Sequence, residues 1–187
     1  TCGYPYRAKL HGHVQLVGTP HYDLDCPPGH YFSVFVARAD DPRTDLAAFD
    51  GAQFAYNDAM SQSGWAAPMT MAETRGLSFG SFLHTGSHIA SGRAVAEGTA
   101  DLAALDVLSW DMMQEWDGFA TSLRVLAATP PSPTLPFITH LSQDVVPLRD
   151  ALGTAIDRLS DPDKATLRLR GLVQIASAAY LAVPTPR

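Results

Sequence analysis

Two short stretches carry the residue types from which an anion site is made. Ser61-Gln62-Ser63-Gly64 and Thr85-Gly86-Ser87-His88 each place hydroxyls and small residues where an apolar strand pattern gives way to a helix pattern. At such a junction the first helical N–H groups lack intrahelical partners, and the helix dipole favours negative charge. The chemistry implied is recognition of a tetrahedral oxyanion by preorganised donors. The same residues also serve as plain N-caps, which need no ligand. For either turn alone both readings stand; two turns after successive strands point to a shared site.

His88 adds a donor or, if protonated, a positive charge, although a helix start favours the neutral ring. Asp106 ends an apolar run and has three roles open to it. It can accept a proton from a hydrogen-bearing ligand oxygen, orient His88 or a hydroxyl, or cap the next helix. Tyr4 lies in a Gly-Pro turn, where it either closes over a ligand or packs. Two histidine pairs raise a metal reading, His11 with His13 and His84 with His88. A His-x-His pair on a strand shares one face and suits zinc. No Cys-x-x-Cys or His-Glu-x-x-His accompanies either pair. His84 falls on a strand and His88 on a helix, so helical spacing does not join them. We assign no metal, no cofactor and no serine–histidine–acid triad, and expect no enzymatic activity.

The elements that must position these residues alternate along the chain. Strands are expected at 14–17, 31–38, 53–56, 80–84, 101–106, 123–129 and 136–139. Helices are expected at 65–75, 88–97, 108–116, 142–159 and about 162–169, with Ser142 as an N-cap and Gly76 and Gly98 as stops. Val145, Leu148, Leu152, Ile156 and Leu159 form one apolar stripe. Short strands alternating with helices predict an α/β architecture, in which ligands bind beyond the carboxyl ends of strands. Ser61, Ser63, Thr85, Ser87, His88 and Asp106 all fall there.

The bulk numbers narrow the partners. The 187 residues are 46% apolar and 17% charged, ordinary for a folded domain. The net charge of −6, without a basic cluster, argues against nucleic acid. No run of about 18 apolar residues suggests membrane insertion, and no signal-peptide pattern is visible. The sequence begins at Thr1 without Met, which suggests processing, trimming or a longer parent chain. Cys2 and Cys26 are either a disulfide or two thiols.

Taken in series, several segments resemble the phosphate/phosphite/phosphonate substrate-binding proteins of ABC importers. They are Tyr31 to Pro42, Leu46 to Gly51, Phe54-Ala-Tyr-Asn-Asp, Ser61-Gln-Ser-Gly-Trp, Thr85-Gly-Ser-His and Ala100 to Asp106. The resemblance covers about residues 2–140. It implies a two-lobe type II periplasmic-binding-protein-like α/β fold with hinge strands. The first lobe would span 1–46 and 122–187, and the second 50–118. Members carry a strand–helix–strand portion ahead of the position of Thr1, so an incomplete first lobe is expected. The family's Ser-Thr-Ser-Gly turn reads Ser61-Gln62-Ser63-Gly64 here, which changes one hydroxyl contact. His88 matches the family's pocket histidine, Asp106 a strand-end acid and Tyr4, loosely, a hinge-side tyrosine.

What the resemblance implies is a periplasmic or extracytoplasmic monomer that captures phosphate, phosphite or a phosphonate and delivers it to an ABC permease. The ligand contacts would be Tyr4, Ser61, Ser63, Gly64, Thr85, Ser87, His88 and Asp106. Two alternatives remain in view: a ligand-sensing module of the same fold without a transporter, and a metal-dependent hydrolase using the histidine pairs.

Overall fold

A computed structural model of the chain describes residues 1–186. A helical turn, α1 (Gly3–Pro5), passes into a π-helical turn at Tyr6–Leu10. Then come β1 (Val14–Tyr22), β2 (His30–Tyr31), β3 (Ser33–Arg38), a 3-10 turn at Leu46–Phe49 and β4 (Gln53–Tyr56). A π-helical turn at Gln62–Ala66 leads into α2 (Ala67–Thr74), followed by β5 (Ser81–His84) and α3 (His88–Ala96). β6 (Leu102–Asp106), α4 (Val107–Trp116) and a 3-10 stretch at Gly118–Ser122 come next. The remainder is β7 (Leu123–Ala128), β8 (Ser132–Pro133), β9 (Phe137–His140), α5 (Val145–Asp157), α6 (Asp161–Thr166), β10 (Leu169–Val173) and α7 (Ser177–Leu181). Contacts divide the chain into two compact units. One is Thr1–Tyr31 with Pro131–Val183, and the other is Phe32–Pro130 with the tail from Pro184.

The Phe32–Pro130 unit holds a five-stranded sheet in the order β5-β4-β6-β3-β7. β4 runs parallel to both β5 and β6, while β3 is antiparallel to β6 and β7. Both faces are covered, so β3 is buried along nearly its whole length instead of alternating. Val34 and Val36 face α3 and α4 through Ala94, Val95, Trp110 and Met113. Phe35 and Ala37 face the other way, toward Leu46, Phe49 and the methionines of α2, Met69 and Met71. Each fully buried Phe or Leu in these layers contributes about 1.5–3 kcal/mol of hydrophobic stabilisation. Gly76 and Gly98 follow α2 and α3 with φ of 69° and 75°, the left-handed stop that only glycine adopts freely.

An ion cluster closes one end of this unit. Arg43 grips Asp41 with both ends of its fork, Nε to Oδ1 at 2.9 Å and one terminal nitrogen to Oδ2 at 2.6 Å. The same nitrogen reaches Asp101 Oδ1 at 2.8 Å, and Asp101 Oδ2 accepts from the Gln53 amide at 2.9 Å. Arg124 donates to the carbonyls of Asp41 and Arg43. The start of β4 is thereby tied to the loop after β3.

The other unit is an antiparallel sheet ordered β10-β1-β9, with β2 and β8 paired separately. Its keystone is Tyr180 on α7, fully buried. The Tyr180 hydroxyl donates to the Thr134 carbonyl at 3.0 Å and pairs with Thr19 Oγ1 at 2.7 Å. Burial pushes its pKa up to about 12, with Tyr6 adding to the shift and the Thr19 bond opposing it. Tyr6 packs edge-on against it with ring centroids 5.4 Å apart.

Several expectations need correction. Strand 31–38 is broken at Phe32, because Tyr31 pairs with Ser132 while Ser33 pairs with Asp106 in a different sheet. The helix placed at 142–159 begins at Val145 and is capped by Asp144, whose carboxylate accepts from the Val146 amide. Ser142 Oγ is instead paired with His140 Nδ1 at 2.9 Å. Of the apolar stripe on this helix only Ile156 is buried; Leu152, Ile156 and Leu159 line an apolar cavity of about 190 Å³ with Pro20, Tyr22 and Phe137. Residues 169–173 form a strand, not the end of a helix. Cys2 and Cys26 are not joined in a disulfide; Cys26 Sγ donates to the His30 carbonyl. The two units divide at Tyr31/Phe32 and Pro130/Pro131, since β3 pairs with both β6 and β7.

Asp41 is the pH-sensitive member of the ion cluster. The Arg43 hydrogen bonds hold its carboxyl down at about 2, below the ordinary 3.8, against the opposing effect of burial. Its stabilising contribution is therefore complete above the unfolded value and lost as pH falls through about 2. Asp41→Asn is expected to cost on the order of 2 kcal/mol near neutral pH. Urea midpoints of the two proteins should converge as pH is lowered toward 3 and below, and a pH-independent difference would contradict this account.

Candidate anion site at two helix starts

The first turn is built by its own side chains. Ser61 stands in extended conformation before the helical residues, and its Oγ accepts from the Gly64 amide at 3.0 Å. The Ala66 amide reaches back to the Ser61 carbonyl at 2.9 Å, which makes this entry one residue wider than an α-turn. Ser61, Gln62, Ser63 and Gly64 are all buried. Gly64 is required by packing. A Cβ there would collide with Asn57 Oδ1 and lie 3.2 Å from His88 Cε1. Asn57 Oδ1 is buried with no hydrogen-bond partner among the described residues.

The second turn is pinned to the first through the end of β4. The Thr85 amide and Oγ1 both donate toward the Tyr56 carbonyl, at 2.9 and 3.1 Å. Thr85 Oγ1 also lies 3.1 Å from the Ser87 carbonyl and 2.6 Å from the buried Ser91 hydroxyl. One hydroxyl has one proton, so Thr85 is committed to holding the turn together. Ser87 caps α3, accepting from the Ala90 amide at 3.1 Å. Its own hydroxyl proton is available to an acceptor.

The two turns meet at His88. Ser63 Oγ and His88 Nε2 are 3.0 Å apart, and Asp106 Oδ2 lies 3.7 Å from the same nitrogen. Asp106 is itself the cap of α4, with Oδ1 accepting from the Ser109 amide at 2.9 Å and Oδ2 from Ser109 Oγ at 2.8 Å. The capping role read from the sequence is thus real, and it coexists with proximity to His88. Burial pushes His88 below its ordinary pKa, while Asp106 and the Ala104 carbonyl oppose the shift. Ser61, Ser63, Gly64, Thr85, Ser87, His88 and Asp106 therefore fall in one region of one unit. Tyr4 belongs to the other unit, where the Arg7 guanidinium lies 4.8 Å from its ring centre.

The metal reading finds little here. His11 and His13 flank a turn before β1, the His84 ring lies tilted against Tyr56 at 5.2 Å, and His88 is engaged by Ser63. Among the described residues, no group of three or more His, Cys, Asp or Glu is arranged to hold a metal ion. Gly76-Leu77-Ser78-Phe79-Gly80 has the spacing of a hydrolase nucleophile elbow, a match that reading for strands and helices passes over. In the structure it links the end of α2 to the edge strand β5, and Ser78 is exposed and held by Asp50. A strand-to-helix elbow is not formed. Asn57 and Ser91 are the structural members of the site that the sequence did not single out. Asn57 stood out only as part of a polar turn, and Ser91 only as one more helical residue.

Comparison with known proteins bears on the fold and the family. The chain has the fold of solved periplasmic binding proteins. The binding-protein component of an ABC phosphonate transporter from Pseudomonas aeruginosa superposes with a TM-score of 0.74 at 19% identity, over 90% of this chain and 59% of that one. PhnD1 from Prochlorococcus marinus, solved with methylphosphonate, gives 0.76 at 16% identity, over 90% and 68%. XAC2383 from Xanthomonas citri, solved with ATP, gives 0.73 at 20%, over 95% and 70%. The chain thus spans about three fifths to seven tenths of the length of these relatives. No curated protein matches it. Residues 8–179 match the family described as ABC transporter, phosphonate, periplasmic substrate-binding protein, and the chain belongs to that family. That family is one of substrate-binding proteins. Among the described residues, no helix is long and apolar enough to cross a membrane.

Gly64→Ala should distort the first turn, because the new methyl displaces Asn57. We expect a cost of about 1–3 kcal/mol by overpacking. Adding Asn57→Ala should recover part of it, since the colliding atom is removed. Thermal melts of the single and double variants decide the point; no recovery in the double variant would mean that Asn57 is not what excludes a side chain at Gly64.

Proposed function

We propose that this chain captures a small tetrahedral phosphorus oxyanion (phosphate, phosphite or an alkylphosphonate) for delivery to an ABC permease in the periplasm. The observation that carries the reading is the 3.0 Å contact between Ser63 Oγ and His88 Nε2, which joins two helix starts at one point. Family membership supports the ligand class. Ser61 and Ser87 each hold a hydroxyl proton that their capping bonds do not use, and the Ser63 hydroxyl stands beside them at His88. His88 supplies a further polar contact and Asp106 orients it. Gly64 keeps the backbone approachable, and Thr85 holds the second turn in place. The net charge of −6 does not oppose this, because local dipoles decide the field at a small site. The task is binding, and donors fixed before the ligand arrives lower its cost.

A thermal-shift titration with phosphate, phosphite, methylphosphonate, sulfate and zinc tests the reading. A ligand that binds only the folded state raises stability by RT ln(1 + [L]/Kd). The expected result is a saturable shift with one or more phosphorus oxyanions and none with sulfate. Ser63→Ala and His88→Ala should each weaken that binding by about tenfold or more, as buried charge-assisted contacts contribute roughly 1.5–3 kcal/mol. Unchanged affinity in both variants would remove this pocket from consideration, and a shift with zinc alone would restore the metal reading.

A further inference from the structure

We propose that His88 takes up a proton when an anion docks at the Ser63 turn, so that the ligand of this site is a doubly charged oxyanion captured together with that proton. The proposal rests on the oxyanion reading above and specifies the charge state of its ligand.

The argument starts from the two ring nitrogens. A neutral imidazole donates from one nitrogen and accepts at the other. Asp106 Oδ2, 3.7 Å from Nε2, favours the hydrogen on Nε2. Ser63 Oγ then accepts that hydrogen across 3.0 Å, and its own proton is turned toward the ligand. This leaves Nδ1 as a bare acceptor. It is buried and makes no hydrogen bond among the described residues. The Ala104 backbone carbonyl also acts on the ring and favours its protonated form. An unpartnered buried Nδ1, with Ser63 and Asp106 at Nε2, leaves room for a second ring proton.

The surrounding groups favour the neutral ring. Burial removes its hydration, and this is the largest influence on it. The ring opens α3, where the helix dipole disfavours positive charge. From the β4–α2 turn it faces Asn57, Ser63 and Gly64, all uncharged. The one acid of that turn, Asp58, is exposed and bonded to the Met60 amide. From the β6–α4 junction it faces Asp106, whose two oxygens already serve Ser109. On its own helix the nearest cation, Arg93, is turned to Asp117 and the Phe119 ring. One carboxylate, partly engaged, therefore stands against burial and the dipole. A dianion at the Ser63 turn supplies the missing negative charge. By linkage, an anion that raises the proton affinity of His88 is itself bound more tightly when His88 is protonated. That gain is lost as pH rises through the pKa of the complex.

Imidazole NMR of isotope-labelled wild-type protein, free and saturated with methylphosphonate near pH 7.5, tests this directly. The expected result is a neutral His88 ring in the free protein and an imidazolium in the complex. Calorimetry in buffers of different ionisation enthalpy should show uptake of about one proton per ligand beyond the ligand's own protonation. The His88→Gln variant reports the ligand's share and should lack the excess. A ring that stays neutral in the saturated complex, or equal proton uptake in wild type and variant, overturns the proposal. If a folded sample binds none of phosphate, phosphite and methylphosphonate, the oxyanion reading itself falls, and this proposal with it.

Discussion

The Tyr56 carbonyl is the point on which the site depends. It sits at the carboxyl end of β4 and receives both the amide and the hydroxyl of Thr85. That double contact extends the parallel register of β4 and β5 by one residue beyond the paired Tyr56 and His84. It sets the start of α3 beside the start of α2. Without it Ser63 and His88 would be two ordinary helix entries, each capped and neither joined. Parallel pairing is what permits this, because it brings successive strand ends out on the same side of the sheet. The parallel trio β5-β4-β6 brings out Ser61, Thr85 and Asp106 in the same way.

The site is also a case of capping residues with two uses. Ser61, Ser87 and Asp106 all satisfy orphan amides of their own helices. A cap uses the lone pairs of a serine hydroxyl and leaves its proton unassigned. This is why the alternatives of cap and binding residue, open in the sequence, do not exclude each other. In the proposed function the anion and the helix end would draw on opposite faces of the same group. Asp106 has no proton to offer; its second oxygen lies 3.7 Å from His88 Nε2.

Much of the Phe32–Pro130 unit is legible in the sequence. β4, α3, β6 and α4 fall within a residue or two of expectation, because apolar strands, hydroxyl caps and stop glycines all agree there. The break at Phe32 is not legible. Tyr-Phe-Ser-Val-Phe-Val reads as one strand, and only the change of partner from Ser132 to Asp106 divides it. Ser142 and Asp144 are equally good caps two residues apart, and His140 decides between them by engaging Ser142. The stripe on α5 has the right period, yet periodicity says nothing of how much neighbouring surface is available to cover it. Asn57 escapes notice because its importance comes from a close approach to Gly64, seven residues away, which no local pattern encodes.

The two units differ in how their chain is laid out, and this bears on their assembly during synthesis. Phe32–Pro130 is one uninterrupted segment, so its sheet can close as soon as β7 is made. The other unit is split around it. β1 precedes the inserted unit, yet Val14 pairs with His140 and Thr19 with Val173, which follow it. Until β9 and β10 are made, the two edges of β1 that they cover are open, a state that invites wrong pairing. Tyr31 and Ser132, on either side of the inserted segment in sequence, pair in one short ladder, and that pairing shortens the search that β1 must complete. Nascent chains of this protein are therefore most vulnerable to aggregation, and most dependent on holding chaperones, after the inner sheet has formed and before β9 and β10 arrive.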